Sequence, residues 1–252
     1  MKRLVLLGLS FLLFSQGMLV TGAAGQAAIL SHTGYFDSLG YYHVVGEVQN
    51  TGDGALDYVE ITATFYDSGN TVVGTGYTFT DIDVVHAGQK SPFDLFLYDE
   101  TQSAKVDHYE LGIQFDPTGS LPIGLEILSH SKYVDSIDYT HVVGEVKNTG
   151  DMVAHYVQVV ATFYDSNGKV VAESFTYTDP KDLAPQQKAP FDLFIDEERS
   201  RSVSSYSLEV DSNEYHGIPE FTSSILVLVM TMSLITFFSA LQSKRRKAES
   251  KG

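Results

Sequence analysis

Eight histidines and 32 acidic residues are the groups in this 252-residue chain best placed to do chemistry. His32 with His43 recurs as His130 with His141, a spacing that could repeat a metal-ligand pair. Metal sites gather His and carboxylates at short intervals, and neither His-x-His nor His-x-x-x-His occurs. Asp53 and Asp67, repeated as Asp151 and Asp165, offer the hard oxygens that suit Ca²⁺. No Asp-x-Asp-x-Asp-Gly loop accompanies them, and Asp beside Gly or Asn is also an ordinary turn signature. No cofactor or metal is expected on this reading, with Ca²⁺ the ion left open. The absence of Cys removes thiol nucleophiles, thiolate zinc sites, iron–sulfur clusters and disulfides. Gly-x-Ser-x-Gly is missing as well. No catalytic residue is assigned, and the chain is expected not to be an enzyme.

Aromatic side chains form the second set. Phe93, Leu95 and Leu97 alternate with Asp94, Phe96 and Tyr98. If the first three face a core, Phe96 and Tyr98 face outward, and Phe96 recurs as Phe194. Phe96, Tyr98 and Phe194 are therefore a candidate surface for an extracellular protein or glycan. A contact between domains is the other reading of the same residues.

The elements that must position these groups come in two copies. Residues 29–100 match residues 127–198 at 39 of 72 positions without a gap, an offset of 98. His43-Val44-Val45-Gly46-Glu47-Val48 recurs at His141–Val146, and Asn50-Thr51-Gly52-Asp53 at Asn148–Asp151. So long a period implies two domains, each with its own core, rather than a solenoid. Apolar residues alternate with period two: Val59, Ile61, Ala63 and Phe65, then Val157, Val159, Ala161 and Phe163. Asp67-Ser68-Gly69-Asn70 becomes Asp165-Ser166-Asn167-Gly168, so Asn and Gly, which both tolerate positive φ, exchange places in one turn. About seven short strands per copy and no helical stripe predict an all-β chain of two tandem immunoglobulin-like β-sandwiches. Residues 28–116 and 126–211 are the two units, joined by a Pro- and Gly-containing linker at 117–125.

The run Val-x-Val-x-Ala-Thr-Phe-Tyr-Asp-Ser-Asn-Gly-Lys-Val-Val at Val157–Val171, preceded by Val-Val-Gly-Glu-Val-Lys-Asn-Thr-Gly, resembles the FxLYD domain family. Both copies share the likeness, which spans most of residues 28–211. The namesake motif departs at Ala63 and Ala161, and at Phe65 and Phe163 in place of Leu. The resemblance implies a small β-sandwich on a secreted or surface protein and implies no reaction.

Both ends read as membrane segments. Lys2 and Arg3, the apolar stretch Leu4–Leu13 and the small residues Gly22-Ala23-Ala24 predict a cleaved signal peptide at 1–25, with an uncleaved anchor as the alternative. Residues 222–242 predict one transmembrane helix, long enough for a hydrocarbon core of about 30 Å. The cluster Lys244, Arg245, Arg246 and Lys247 assigns residues 243–252 to the cytoplasm and everything N-terminal to the outside. Pro219-Glu220-Phe221, at the end of a stalk over 212–221, resembles the PEF-CTERM sorting signal of archaeal surface proteins. That resemblance implies an archaeosortase-type processing enzyme as a partner. A Pro that merely stops the helix is the bland reading.

Charge divides the same way. The net charge of −16 conceals −22 over residues 26–220 and basic flanks at either end. So acidic an exterior excludes nucleic acid as a partner, because phosphate neutralisation needs clustered Lys and Arg. The expected protein is a non-enzymatic, membrane-anchored cell-surface protein with its N-terminal ectodomain outside, structural or adhesive in role. The alternative is a ligand-, cation- or glycan-binding module of an envelope or transport complex.

Overall fold

A computed structural model describes residues 26–218, and these are all-β apart from two single-turn helices. The predicted signal peptide, Pro219–Phe221, the transmembrane helix and the basic cluster Lys244–Lys247 lie outside the described residues. The first repeat contains β1 (Ala27–Phe36), β2 (Tyr42–Asn50), β3 (Ala55–Tyr66), β4 (Val72–Phe79), β5 (Lys90–Leu97), α1 (Glu100–Ser103) and β6 (His108–Thr118). Its strands form two sheets, β1-β2-β5 and β4-β3-β6. The second repeat contains β7 (Ile123–Val134), β8 (Thr140–Asn148), β9 (Gln158–Tyr164), β10 (Val170–Tyr177), β11 (Lys188–Ile195), α2 (Glu197–Ser200), β12 (Ser205–Asp211) and β13 (His216–Gly217). The first repeat thus has six strands where seven were expected. The second repeat reaches seven only through the two-residue β13, and in both a single helical turn, capped by Asp99 on the Gln102 N–H or by Asp196 on the Arg199 N–H, precedes the last long strand.

Alternation sets which residues fill each core. Along β3, Val59, Ile61, Ala63 and Phe65 point inward and pack with Val44, Phe93 and Leu95. The second core repeats this with Val157, Val159, Ala161, Phe163, Phe191 and Leu193. Each fully buried large side chain contributes about 1.5–3 kcal/mol. The exchanged turn residues serve one geometry. Asn70 (φ 60°) and Gly168 (φ 78°) occupy the same left-handed position. Asp67 and Asp165 each accept two backbone N–H groups at 2.8–2.9 Å. Asn50 and Asn148 are buried tethers: each amide donates to two carbonyls, Gly54 and Val85 or Met152 and Leu183.

Two findings revise the expected boundaries. Strand β6 continues through Thr118, which pairs with Ala55, so only residues 119–122 connect the repeats' strands. The segment read as a stalk is folded as far as Ile218. Tyr215 is 2% exposed, and its hydroxyl receives the Asp151 and Met152 N–H groups. Its ring lies against Gly124 and Gly150, where any Cβ would collide with it. Strand β13 then pairs parallel with β7, joining the second repeat's strands into one seven-stranded sheet, β10-β9-β12-β13-β7-β8-β11.

The repeats dock asymmetrically. Strands β9 and β10 of the second lie on β1, β2 and β5 of the first. Val160, at the position of exposed Thr62, packs into the first repeat's core cluster. Glu47 is buried in this seam at 2% exposure, where it accepts a hydrogen bond from the Tyr164 hydroxyl and pairs with Lys90 at 2.8 Å.

Candidate binding groove

Beside the seam lies a groove of about 780 Å³ to which both repeats contribute aromatic side chains: Tyr58 and Phe79 from the first, Tyr156 and Tyr177 from the second. Local backbone geometry puts them there. The β3 pairing is irregular between Asp57 and Glu60, and Tyr58 within the irregularity has φ 49°. Tyr156, at the equivalent position just before β9, has φ 55°. A bulky residue at positive φ costs on the order of 1–3 kcal/mol. In both repeats the kink lets the residue two before Tyr and the residue after it (Leu56 and Val59, or Ala154 and Val157) point into the core. It throws the Tyr ring outward, and Tyr58 is 66% exposed. The rings continue as ladders. Tyr58 meets Phe79 at 6.4 Å and Phe79 meets Tyr77 at 6.2 Å, edge to face. Tyr156, Tyr177 and Phe175 repeat the arrangement at 6.4 and 6.3 Å.

The polar lining is acidic. Asp57, Asp83 and Asp211 line the groove with His216, and Lys181 lies over the Tyr156 ring at 4.1 Å. Asp211 has a history in the duplication. In the first repeat Glu60 accepts from the Gln114 amide at 2.8 Å, and at the corresponding pair Gln158 and Asp211 acid and amide have changed places. Docking turns the Gln158 amide to the Asp81 carbonyl at 3.1 Å, and Asp211 Oδ1 is left buried without a hydrogen-bond partner. Burial, with Asp83 and Glu209 nearby, pushes the Asp211 carboxyl up to about 8. Behind it, Asp81 and Glu173 face each other across the seam, and burial raises both carboxyls, most strongly Asp81 with Glu173 beside it. His216 stacks on His86 at 3.8 Å, and burial followed by the neighbouring ring lowers it.

The residues singled out in the sequence take other places. Phe96 and Tyr98 lie against each other at 3.9 Å with their rings tilted by 43°, and Phe96 also lies flat on His43 at 4.9 Å. Phe194 is 53% exposed on its own repeat, against His141 and Tyr139. None of the three lines the aromatic groove. The recurrent histidines are each held by a tyrosine hydroxyl or by acids. His32 and His130 meet the hydroxyls of Tyr109 and Tyr206 at 2.7 Å. His43 sits between Asp94 and Asp37, and His141 between Asp192 and Asp135. Among the described residues no cluster of three or more His, Asp or Glu could hold a metal ion. Period-two alternation did aim Tyr58 outward. Nothing in the sequence signals the positive φ or the union of two Tyr ladders in one groove.

No protein-family model matches the chain, and no curated protein does. Among solved structures it is similar to the exo-chitosanase CsxA of Amycolatopsis orientalis, with TM-score 0.28 and 12% identity over 75% of this chain and 26% of that one. It is similar also to red sea bream transglutaminase, with TM-score 0.25 and 9% identity over 79% of this chain and 32% of that one. The chain spans about a quarter to a third of these proteins' lengths. At such scores the likeness carries no argument about activity.

Proposed function

We propose that the chain is a non-enzymatic adhesive protein of the cell surface, which holds two immunoglobulin-like β-sandwiches of FxLYD type outside the membrane and grips a neutral glycan in the groove between them. Anchoring by the 222–242 helix and processing at Pro219-Glu220-Phe221 by an archaeosortase-type enzyme belong to the same proposal. One observation carries the adhesive reading: the strained, outward Tyr recurs in both repeats, and both rings reach one groove. Flat exposed aromatic rings offer a surface for the C–H faces of sugar rings, and Asp57 and Asp83 accept sugar hydroxyls. The acidic lining repels polyanions.

The test is affinity electrophoresis of the full chain in detergent through gels containing a soluble mannan, glucan or galactan, with alginate as the anionic control. Retardation by at least one neutral polymer and not by alginate is expected, with about tenfold weaker binding in Tyr58→Ala and in Tyr156→Ala. Binding that survives both substitutions, or retardation by no neutral polymer, overturns the groove reading. Sorting is tested separately by the intact mass of the envelope-extracted protein, where retention of residues 222–252 removes it.

A further inference from the structure

The contact joining the repeats is heterologous, since the β1-β2-β5 face of the first receives the β9-β10-β12 face of the second. One face of each kind is used and one of each is left open: β7-β8-β11 on the second repeat and β3-β4-β6 on the first. We propose that the free β7-β8-β11 face receives the β3-β4-β6 face of a second copy of this chain, so that molecules associate head to tail. A heterologous contact of this kind builds a filament, or a ring where its rotation closes. The two proposals share surface, since Tyr177 lines both the aromatic groove and the receiving face and Phe79 lies on the delivering strand β4.

The receiving face keeps the chemistry that already works inside the molecule. At the seam, Glu47 accepts from Tyr164 and Lys90, and Ser31 Oγ accepts the Val170 N–H at 3.0 Å. Ninety-eight residues on, Glu145, Lys188 and Ser129 hold the same positions, with Lys188 3.1 Å from Glu145 and the surface dished by about 930 Å³. The delivering face supplies Tyr66 for Tyr164 and Val72 for Val170. Val170 is fully buried in the seam whereas Val72 is 53% exposed, which leaves the same apolar position uncovered.

The differences between the copies also bear on the fit. Where Glu173 confronts Asp81 at the seam, the new contact would place the Thr75 hydroxyl opposite Asp179, a donor in place of a second acid. Against this, Glu110 replaces Ser207 beside the Tyr hydroxyl and Gly112 replaces Glu209, so one like-charge approach is added and one hydrogen bond lost. The association is therefore weaker than the docking within the chain.

The chain's freedom from Cys makes cross-linking a clean test. Full-length Ser129→Cys and Val72→Cys chains are mixed in detergent and oxidised, with Ser129→Cys and the linker variant Ser120→Cys as the control mixture. Ser31→Cys with Val170→Cys in one chain should close an internal disulfide and shows that Cys variants fold. The expected result is mixed dimer from the first pair in excess over the control, and a ladder when both Cys sit in one chain. Ser131→Trp, a bulky uncharged ring placed in the dish where Thr33 meets Val170 in the seam, should abolish the ladder. Equal yields in the two mixtures, a ladder indifferent to Ser131→Trp, or faster coupling of Ser129→Cys to itself overturns the proposal. Should the variants misfold, sedimentation velocity of the unaltered chain decides it: absence of concentration-dependent association is fatal.

Discussion

The β1-β2-β5 face of the first repeat and the β7-β8-β11 face of the second carry closely matching residues in different surroundings. Glu47 is 2% exposed, while the side chain of Glu145 is 41% exposed. Asp94, at 19% side-chain exposure, holds His43 and Tyr35 under the seam, while Asp192 holds His141 at 52%. Pro92 is buried and Pro190 is exposed. The strands and turns that build the two faces are alike, so local sequence decides the elements and the neighbour decides burial. The comparison separates what a residue does for its own sandwich from what it does for the docking. It can be broken or sharpened by substituting matched positions.

The largest effect is expected where the repeats should not differ. Phe65→Ala and Phe163→Ala each empty a fully buried position, and each should cost about 3–5 kcal/mol in denaturant unfolding. Equal costs in a single transition would show that the seam couples the two cores. Two transitions, with each substitution moving only one, would reduce the docking to a weak contact.

The next effect belongs to the seam's acids and is read by pH. Asp211, Asp81 and Glu173 are all raised above the ordinary carboxyl range, chiefly by burial. A carboxyl raised on folding binds more protons folded than unfolded, so stability falls as pH climbs from the unfolded value near 4 to the folded one, about 8 for Asp211. Working the other way, the backbone N–H donors and His43 hold Asp37 low despite partial burial, and a Thr71 N–H leads in holding Asp67 low. Their stabilisation is lost only as pH drops below 4. Maximal stability is therefore expected on the acidic side of neutrality. Asp211→Asn should flatten the decline between pH 5 and 8 and gain on the order of 2 kcal/mol at pH 8. A thermal-unfolding profile that stays level over that range, or a slope unchanged in Asp211→Asn, contradicts it.

Much of this architecture was legible in advance, for physical reasons that stop at the edge of each repeat. Period-two alternation marks β3, and the exchange of Asn70 and Gly168 marks a turn, because both are local constraints. The folded Tyr215 segment was not legible. Its pairing partners are at Leu125 and Asp151, and a seven-residue polar stretch without repeat partner reads as a tether. Phe96 was correctly aimed outward, but its ring is spent on His43 and Tyr98. Tyr58 and Tyr156 escaped notice because their role depends on a backbone angle and on docking, neither of which is written in residue spacing. Glu173 shows the same limit, since it stands where the first repeat has Thr75 and meets Asp81 only across the seam.

A smaller effect tests the seam against its open counterpart. Glu47→Ala removes the acceptor of both Tyr164 and Lys90 inside the seam and should cost about 1–3 kcal/mol. Glu145→Ala removes an open pair and should stay within about 0.5 kcal/mol. Similar costs for the two would mean that the seam adds nothing to a pair already satisfied by its own sheet.

The lysines supply the finest comparison. Lys90 and Lys188 each reach a Glu on the neighbouring strand, at 2.8 and 3.1 Å, and their own exposures are close, 40% and 50%. The difference lies in the carboxylates they serve. Losing Lys90 leaves the buried Glu47 charge with the Tyr164 hydroxyl alone, so Lys90→Met should cost about 1 kcal/mol. Losing Lys188 leaves Glu145 to water, so Lys188→Met should be near neutral. Salt sharpens the contrast, because exposed pairs are screened within roughly 3 Å at 1 M while shielded ones are not. Urea unfolding at low salt and at 1 M NaCl should therefore shrink any Lys188 effect to nothing and leave most of the Lys90 effect. If both effects vanish together, water reaches Glu47, and the two faces differ in their neighbours without differing in their electrostatics.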